Sequence, residues 1–310
     1  MAAGYLSAAG LAERIDATRR LTSRAFGVNL FVPAPAGDPA AVAAYARRIE
    51  PEAEKIGVAL GEPRAGDDDW SAKIELLAAA PVPLVSFTFG CPPDKVIDGL
   101  HQAGSEVWVT VTSAAEARLA QGAGVDGLVV QGLEAGGHRG GFADVDDATG
   151  LLALLQLVRG VADLPLIGAG GIMTGAGLAA VLAAGARAGA LGTAFLRCPE
   201  AGTTAVHRQA LLGTERPTRL TRAFTGRLAR GVPNRFLDEY SAVAPSAYPQ
   251  VHHLTAPLRA HGRSTGDGDL VSFWAGQAYP LVTDLPASEI VQRVAEEAKA
   301  ALDRCRQLLD

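Results

Sequence analysis

Short apolar, β-branched runs alternate along this chain with longer stretches whose apolar positions recur every three to four residues. The short runs predict strands at 25–31, 84–90, 106–112, 127–132, 165–168 and 189–195. The longer stretches predict a helix after each, at 38–60, 94–103, 113–122, 149–161, 174–184 and 201–212. Asp38 before Pro39 reads as an N-cap followed by proline at the first helical position. Ser113 with Glu116 reads as a capping box. Residues 2–6 read as the end of one more strand, running into a helix at 8–21.

Apolar strands that are each followed by a helix imply a parallel sheet covered on both faces. Units of this length, repeated so often, predict an α/β fold of the (β/α)8 TIM-barrel type rather than an open doubly wound sheet. The reading yields seven strands, and a closed barrel needs eight. The expectation is therefore that the first strand is missing from this chain, which would begin one βα unit late. After residue 212 the pattern changes. Arginines 216, 219, 222, 227, 230 and 235 crowd together, a helix is expected at 234–243, and 245–268 reads as loop with a turn at 266–269. An amphipathic helix is expected at 288–309, with Ile290, Val291, Val294, Ala298, Ala301, Leu302, Cys305 and Leu309 as its apolar stripe. The chain thus divides into a barrel over 1–213 and a C-terminal cap segment with a helix over 214–310, packed on the barrel.

Composition narrows the function. The chain has 310 residues, 48% of them hydrophobic and 20% charged, which suits a globular protein with a large core. A formal charge of −5 argues against a nucleic-acid partner. The basic residues are nearly all arginine, which reads as genomic coding bias rather than phosphate recognition. Cys91, Cys198 and Cys305 form no paired spacing, as expected in a reducing cytoplasm. The N-terminus lacks the basic and apolar regions of a signal peptide. The longest apolar stretch, 178–196, is broken by Arg187 and several glycines, so no membrane span is expected.

Chemistry in such a barrel sits at the C-terminal ends of the strands. Gly168, Gly170 and Gly171 follow the next-to-last strand, and Gly192 and Thr193 follow the last. Their backbone N–H groups form a candidate phosphate cup. Two partial dinucleotide fingerprints, at 122–127 and 175–180, lie in the wrong strand–helix order. Between 131 and 141 the chain reads QGLEAGGHRGG. Gln131 ends a strand, where its amide can both donate to and accept from a heterocycle edge. Gly136 and Gly137 let the backbone approach a ligand closely, and His138 then projects at the barrel mouth as a candidate general base. His252 and His253 have no third ligand at metal-binding spacing, so no metal is expected.

QGLEAGGHRG at 131–140, with FGVNLF at 26–31, LIGAGGIM at 166–173 and ALGTAF at 190–195, resembles the FMN-dependent nitronate monooxygenases, formerly called 2-nitropropane dioxygenases. The resemblance runs from residue 2 through the arginine-rich segment, and a flavin enoyl reductase branch shares most of it. The family's opening strand, ending in an Ala-Pro-Met turn, has no counterpart here, which agrees with the strand count. The resemblance implies FMN as cofactor, held by Asn29, Gln131, Gly136, Gly137, Gly170 and Gly171. Ala190, Leu191, Gly192 and Thr193 would close over its phosphate. His138 would be the catalytic base, and a small-molecule nitronate and dioxygen the substrates, giving a carbonyl compound and nitrite. Trp274 and Tyr279 are candidates to roof the pocket. Two alternatives stand beside this reading: an NAD(P)H-dependent flavin reductase of enoyl thioesters or quinones, and a truncated flavin-free remnant without catalysis. A homo-oligomer is left open.

Overall fold

The computed structural model describes residues 1–146, 148–213 and 216–308. Helix α1 (Ala8–Leu21) is capped by the Ser7 side chain and leads to strand β1 (Gly27–Phe31). Asp38 accepts from Ala40 N and starts α2 (Pro39–Ile56), with Pro39 in its first turn, as expected. A second helix follows, α3 (Trp70–Ala79), which periodicity did not predict. Four strand–helix units come next: β2 (Leu84–Thr88) with α4 (Asp94–Gln102), then β3 (Glu106–Val111) with α5 (Ala114–Gly122). β4 (Gly127–Gln131) is joined to α6 (Leu151–Arg159) through a loop that carries the two-residue strand β5 (Gly137–His138). β6 (Leu166–Ala169) is followed by α7 (Gly175–Ala183), capped by Thr174, and then β7 (Ala188–Ala190).

Six of these strands form one parallel sheet in the order β1-β2-β3-β4-β6-β7, a curled TIM-barrel-type sheet with helices outside it. The expected strand at 2–6 is reduced to a single parallel bridge, Ala2 to Asn29, at the edge of β1. Met1 O accepts from Asn29 N at 2.8 Å, and Ala3 N donates to Asn29 O at 3.0 Å. Lys73, almost wholly buried, holds this segment: its ammonium donates to Ala3 O at 3.0 Å and pairs with Asp68 at 2.8 Å. Strand alternation divides the faces. Val28, Leu30, Val85, Phe87, Val109, Leu128 and Val130 are buried in the main core. Asn29, Ser86 and Thr88 fall at the alternate positions. Asn29 Nδ2 donates to Ser86 Oγ at 3.0 Å and Thr88 Oγ1 at 3.1 Å, and Thr88 meets the Thr110 hydroxyl at 3.3 Å.

Three expectations about these elements change. The strand expected at 189–195 ends at Ala190, because Thr193–Phe195 turns into a 3-10 helix. The Glu116 carboxylate reaches back past Ser113 to Thr112 N, and its other oxygen accepts from Phe142 N, so it ties two loops instead of closing a capping box. The helix expected at 201–212 shrinks to α8 (Ala205–Ala210).

Beyond it, β8 (Arg219–Thr221) and β9 (Ala229–Val232) form an antiparallel ladder, and α9 (Arg235–Tyr240) starts at its Asn234 cap. The stretch expected to be loop contains α10 (Gln250–Leu254) and α11 (Ala256–Thr265). Their apolar residues Val251, Leu254 and Leu258 pack on α2 residues Val42, Tyr45 and Ile49 in a second core. β10 (Phe273–Trp274) pairs with β9, and α12 (Ala287–Gln307) ends the described chain. α12 buries Ile290, Val294, Ala298 and Ala301 against the barrel, whereas Val291, Leu302 and Cys305 are exposed and Leu309 lies outside the described residues.

Candidate active site

A cavity of 730 Å³ opens at the C-terminal ends of the parallel strands. Its walls include Asn29, Gln131, Gly136, Gly170, Gly171, Ala190, Leu191, Gly192 and Thr193, nine of the ten residues expected to hold a cofactor. The tenth, Gly137, belongs to β5 and pairs with Arg230 of β9 instead. Met1, Ala2, Gly276 and Ala278 are among the other wall residues, and the sequence analysis had not marked them as site residues. No group of three or more His, Cys, Asp or Glu able to hold a metal occurs among the described residues.

The cavity fits a flat, phosphate-bearing cofactor. Gly170 and Gly171 both have positive φ, +116° and +70°, a turn that glycine adopts without strain. A Cβ on Gly136 would lie 2.5 Å from Ala275 C and from Gly276 N, so this loop approaches the cap as only glycine allows. Thr193 Oγ1 accepts from Gly276 N at 2.9 Å and joins cap to cup. The volume lies within the usual range for small-molecule sites, about 300–1,000 Å³.

Gln131 departs from expectation in part. Its Oε1 accepts from Gly140 N at 2.8 Å and Arg139 Nη1 at 3.3 Å, which uses both acceptor positions. Its Nε2 donates to His138 O at 3.0 Å and keeps one proton for the cavity. The amide therefore folds the 137–140 loop over its own strand end and offers a ligand only a donor.

His138 does not line the cavity itself but sits beside it, on the strand that Gln131 holds. It is half-buried among Phe89, Tyr248 and Trp274, with ring centroids 5.8, 5.6 and 5.8 Å away. Nε2 lies 2.9 Å from Thr225 Oγ1. Burial, then Arg227 and Arg259, push its imidazole down to about 3. At neutral pH His138 is thus uncharged within a field of positive charge. Of the candidate roof residues, Trp274 packs against the His138 ring but does not line the cavity. Tyr279 is core, its hydroxyl donating to Gly213 O at 2.5 Å and Arg216 O at 2.9 Å.

The arginine-rich segment has a structural role that composition did not reveal. Arg227 is buried, its guanidinium 4.1 Å above the Phe89 ring. It donates through Nε to Arg139 O at 3.1 Å, and through Nη2 to Gly141 O. Arg230, also buried, donates to Leu133 O at 2.8 Å, and Arg139 to Gly132 O at 2.7 Å. Arg222 pairs with Asp144, which also accepts from Leu228 N at 2.9 Å. Three cap arginines thus tie down the loop that carries His138. A planar fork with five donors suits this task, because it can satisfy several carbonyls at once. The spacing of arginines alone cannot distinguish this from a solvated charge run.

A parallel barrel with a glycine-walled cleft at its strand ends, and a neutral imidazole beside it under a cap, defines a barrel enzyme of the cofactor-binding class. Comparison with known proteins specifies which. The family model described as nitronate monooxygenase matches residues 1–297, and this chain belongs to that family, whose members are flavin-dependent oxidoreductases. The chain is 38% identical to nitronate monooxygenase of Paraburkholderia phytofirmans, over 98% of this chain and 86% of that one. It is 38% identical to the Pseudomonas aeruginosa nitronate monooxygenase, over 92% of this chain and 84% of that one. Among solved structures, nitroalkane oxidase from Streptomyces ansochromogenes superposes with a TM-score of 0.94 at 46% identity, covering 100% of this chain and 89% of that one. FabK from Thermotoga maritima shares the fold more distantly, with a TM-score of 0.75 at 25% identity, covering 98% and 85%.

Proposed function

We propose that this protein oxidises small alkyl nitronates, and the nitroalkanes that give rise to them, with dioxygen, using FMN held in the 730 Å³ cavity. The observation that carries this reading is the convergence of nine residues from four separate segments, which the resemblance had singled out, on one cavity beside His138. Gly170, Gly171, Gly192 and Thr193 would hold the phosphate, and Asn29, Gln131 and Gly136 would border the ring system. Residues 1–213 would bind the cofactor, and 214–310 would act as the cap that seals it from water. Bound there, FMN supplies the electron transfer and the reaction with dioxygen.

The chain's own residues handle the proton and the anion. Neutral His138 can take the proton from the carbon bearing the nitro group. A nitronate arrives without that proton, and the positive field of Arg227 and Arg259 around His138 favours its negative charge. The aromatic wall of Phe89, Tyr248 and Trp274 keeps the reacting carbon away from bulk water. Three free cysteines support a reducing, cytoplasmic setting.

The test is the visible absorption of the purified chain with and without added FMN, followed by nitrite release from a nitronate and from its parent nitroalkane. A bound-flavin spectrum and nitrite release are expected. His138→Ala should keep the flavin and lower nitroalkane turnover by roughly 10²–10⁴-fold. Reduction of the bound flavin by NADH with no nitrite release would favour the reductase reading. A chain that takes up no FMN would overturn the cofactor assignment.

A further inference from the structure

The turn between β8 and β9 carries Thr225, whose hydroxyl is buried against the His138 ring. A threonine hydroxyl has one proton to give and two lone pairs. Here Oγ1 donates to Arg227 O at 3.2 Å, and that carbonyl has no other hydrogen-bond donor among the described residues. Handing the proton to His138 would leave a buried carbonyl unpaired, at a cost of about 1–3 kcal/mol. Thr225 Oγ1 must then accept from His138, and the Nε2 atom 2.9 Å away carries the ring proton. Nδ1 makes no hydrogen bond among the described residues and is not among the fully enclosed polar atoms left without a partner, so its lone pair is unengaged.

The turn is fixed by more than the histidine. Gly226 N and Thr225 N both donate to Arg222 O, at 2.8 and 3.1 Å, and Ala247 N donates to Gly226 O at 2.9 Å. Gly226 has φ +79°, and a Cβ there would collide with Ala247 O. Arg222 is in turn paired with Asp144. The hydroxyl is thus presented by a rigid turn.

We propose that Thr225 is the positioning residue of His138: by accepting from Nε2–H it fixes one tautomer and leaves the Nδ1 lone pair as the base that meets the substrate. This rests on the reading of His138 as the base. In the step it serves, the carbon–hydrogen bond next to the nitro group breaks and the proton passes to Nδ1. The electron pair stays on the substrate and delocalises into the nitro group. The products are a nitronate and an imidazolium whose two protons face the nitronate and Thr225.

A nitroalkane needs this step and a preformed nitronate does not, so the two substrates separate positioning from general damage. Thr225→Val keeps the shape and removes the acceptor. It should lower kcat/KM for the nitroalkane by roughly 10- to 100-fold, the usual effect of losing an orienting partner, and change that for the nitronate by less than about threefold. Thr225→Ser should restore most of the loss. Nitrogen-15 NMR of histidine-labelled protein, with His138→Ala used to assign the signal, gives a readout independent of turnover. The Nε2–H form is expected in the wild type, and a mixture of tautomers in Thr225→Val. An Nδ1–H tautomer in the wild type would overturn the proposal, as would equal losses on both substrates in Thr225→Val. Unchanged nitroalkane turnover in His138→Ala would instead overturn the base assignment, whatever tautomer the NMR finds.

Discussion

At the residue scale, the site depends on side chains that are missing as much as on those present. Gly136 is the sharpest case. The backbone of Ala275 and Gly276 lies where its Cβ would be, so any larger residue must push the cap off the barrel mouth. Gly136→Ala should destabilise the fold by about 1–3 kcal/mol, the range for overpacking, and weaken FMN binding at least tenfold. Fluorescence titration with FMN and thermal unfolding measure the two effects separately, and unchanged values of both would refute the close approach. Glycine at this position was visible in the sequence, but its reason was not. The sequence suggests backbone approaching a ligand, whereas the structure shows backbone approaching backbone from a segment about 140 residues away.

At the element scale, α12 is the part that pattern predicted most fully. Its expected buried stripe included Ile290, Val294, Ala298 and Ala301, all of which are buried. The stripe was drawn too wide, because the helix packs mainly on one neighbour, α7, and Val291 and Leu302 lie along one flank of that buried face, exposed. The contact is tightest at Gly175, the first residue of α7. Its N–H donates to Glu297 Oε2 at 2.9 Å, and a Cβ there would overlap the Glu297 Cβ. Gly175→Val should therefore lift the C-terminal helix from α7 and lower stability by about 1–3 kcal/mol. Limited proteolysis would show earlier cleavage within Ala287–Gln307, and wild-type resistance in the variant would contradict this docking. The helices α10 and α11 were missed for a different reason. Both are short, and they carry prolines, histidines and glycines in the proportions of a loop. The apolar surface of α2 selects helix there, where local propensity does not.

At the scale of the whole molecule, charge is organised around keeping imidazoles neutral. Burial drives His138 to about 3, His207 to about 4 and His252 to about 3, with nearby arginines adding to the shift at His138 and His252. In the unfolded chain these groups titrate near 6.5. Their folded values are depressed, so between about pH 6.5 and 4 the unfolded state binds protons that the folded state refuses. The stability they contribute is complete above pH 6.5 and falls as the pH drops, by up to roughly 1.4 kcal/mol per pH unit for each group. Urea unfolding at pH 7, 6 and 5 should show midpoints falling in that order, and the fall should be shallower in His138→Asn. A flat profile would mean that these imidazoles are not held neutral.

The repeating pattern of strand and helix was enough to predict a parallel α/β barrel, and the glycines at its strand ends were enough to mark the walls of one cavity. Those features are local: periodicity, capping residues and backbone freedom are written in consecutive positions. The polarity of the site was decided by tertiary structure. The neutrality of His138 depends first on its burial and then on Arg227 and Arg259, and its proton on Thr225, all three residues far along the chain. Gln131 looked like a ligand-reading amide in isolation, but its acceptor oxygen is taken up by Arg139 and Gly140 once the loop folds back. The arginines that looked like composition became the clamps of the loop that carries His138. Electrostatic and hydrogen-bond partners are set by proximity in space, and a chain that folds a cap back onto its barrel creates that proximity only when the whole fold is in place.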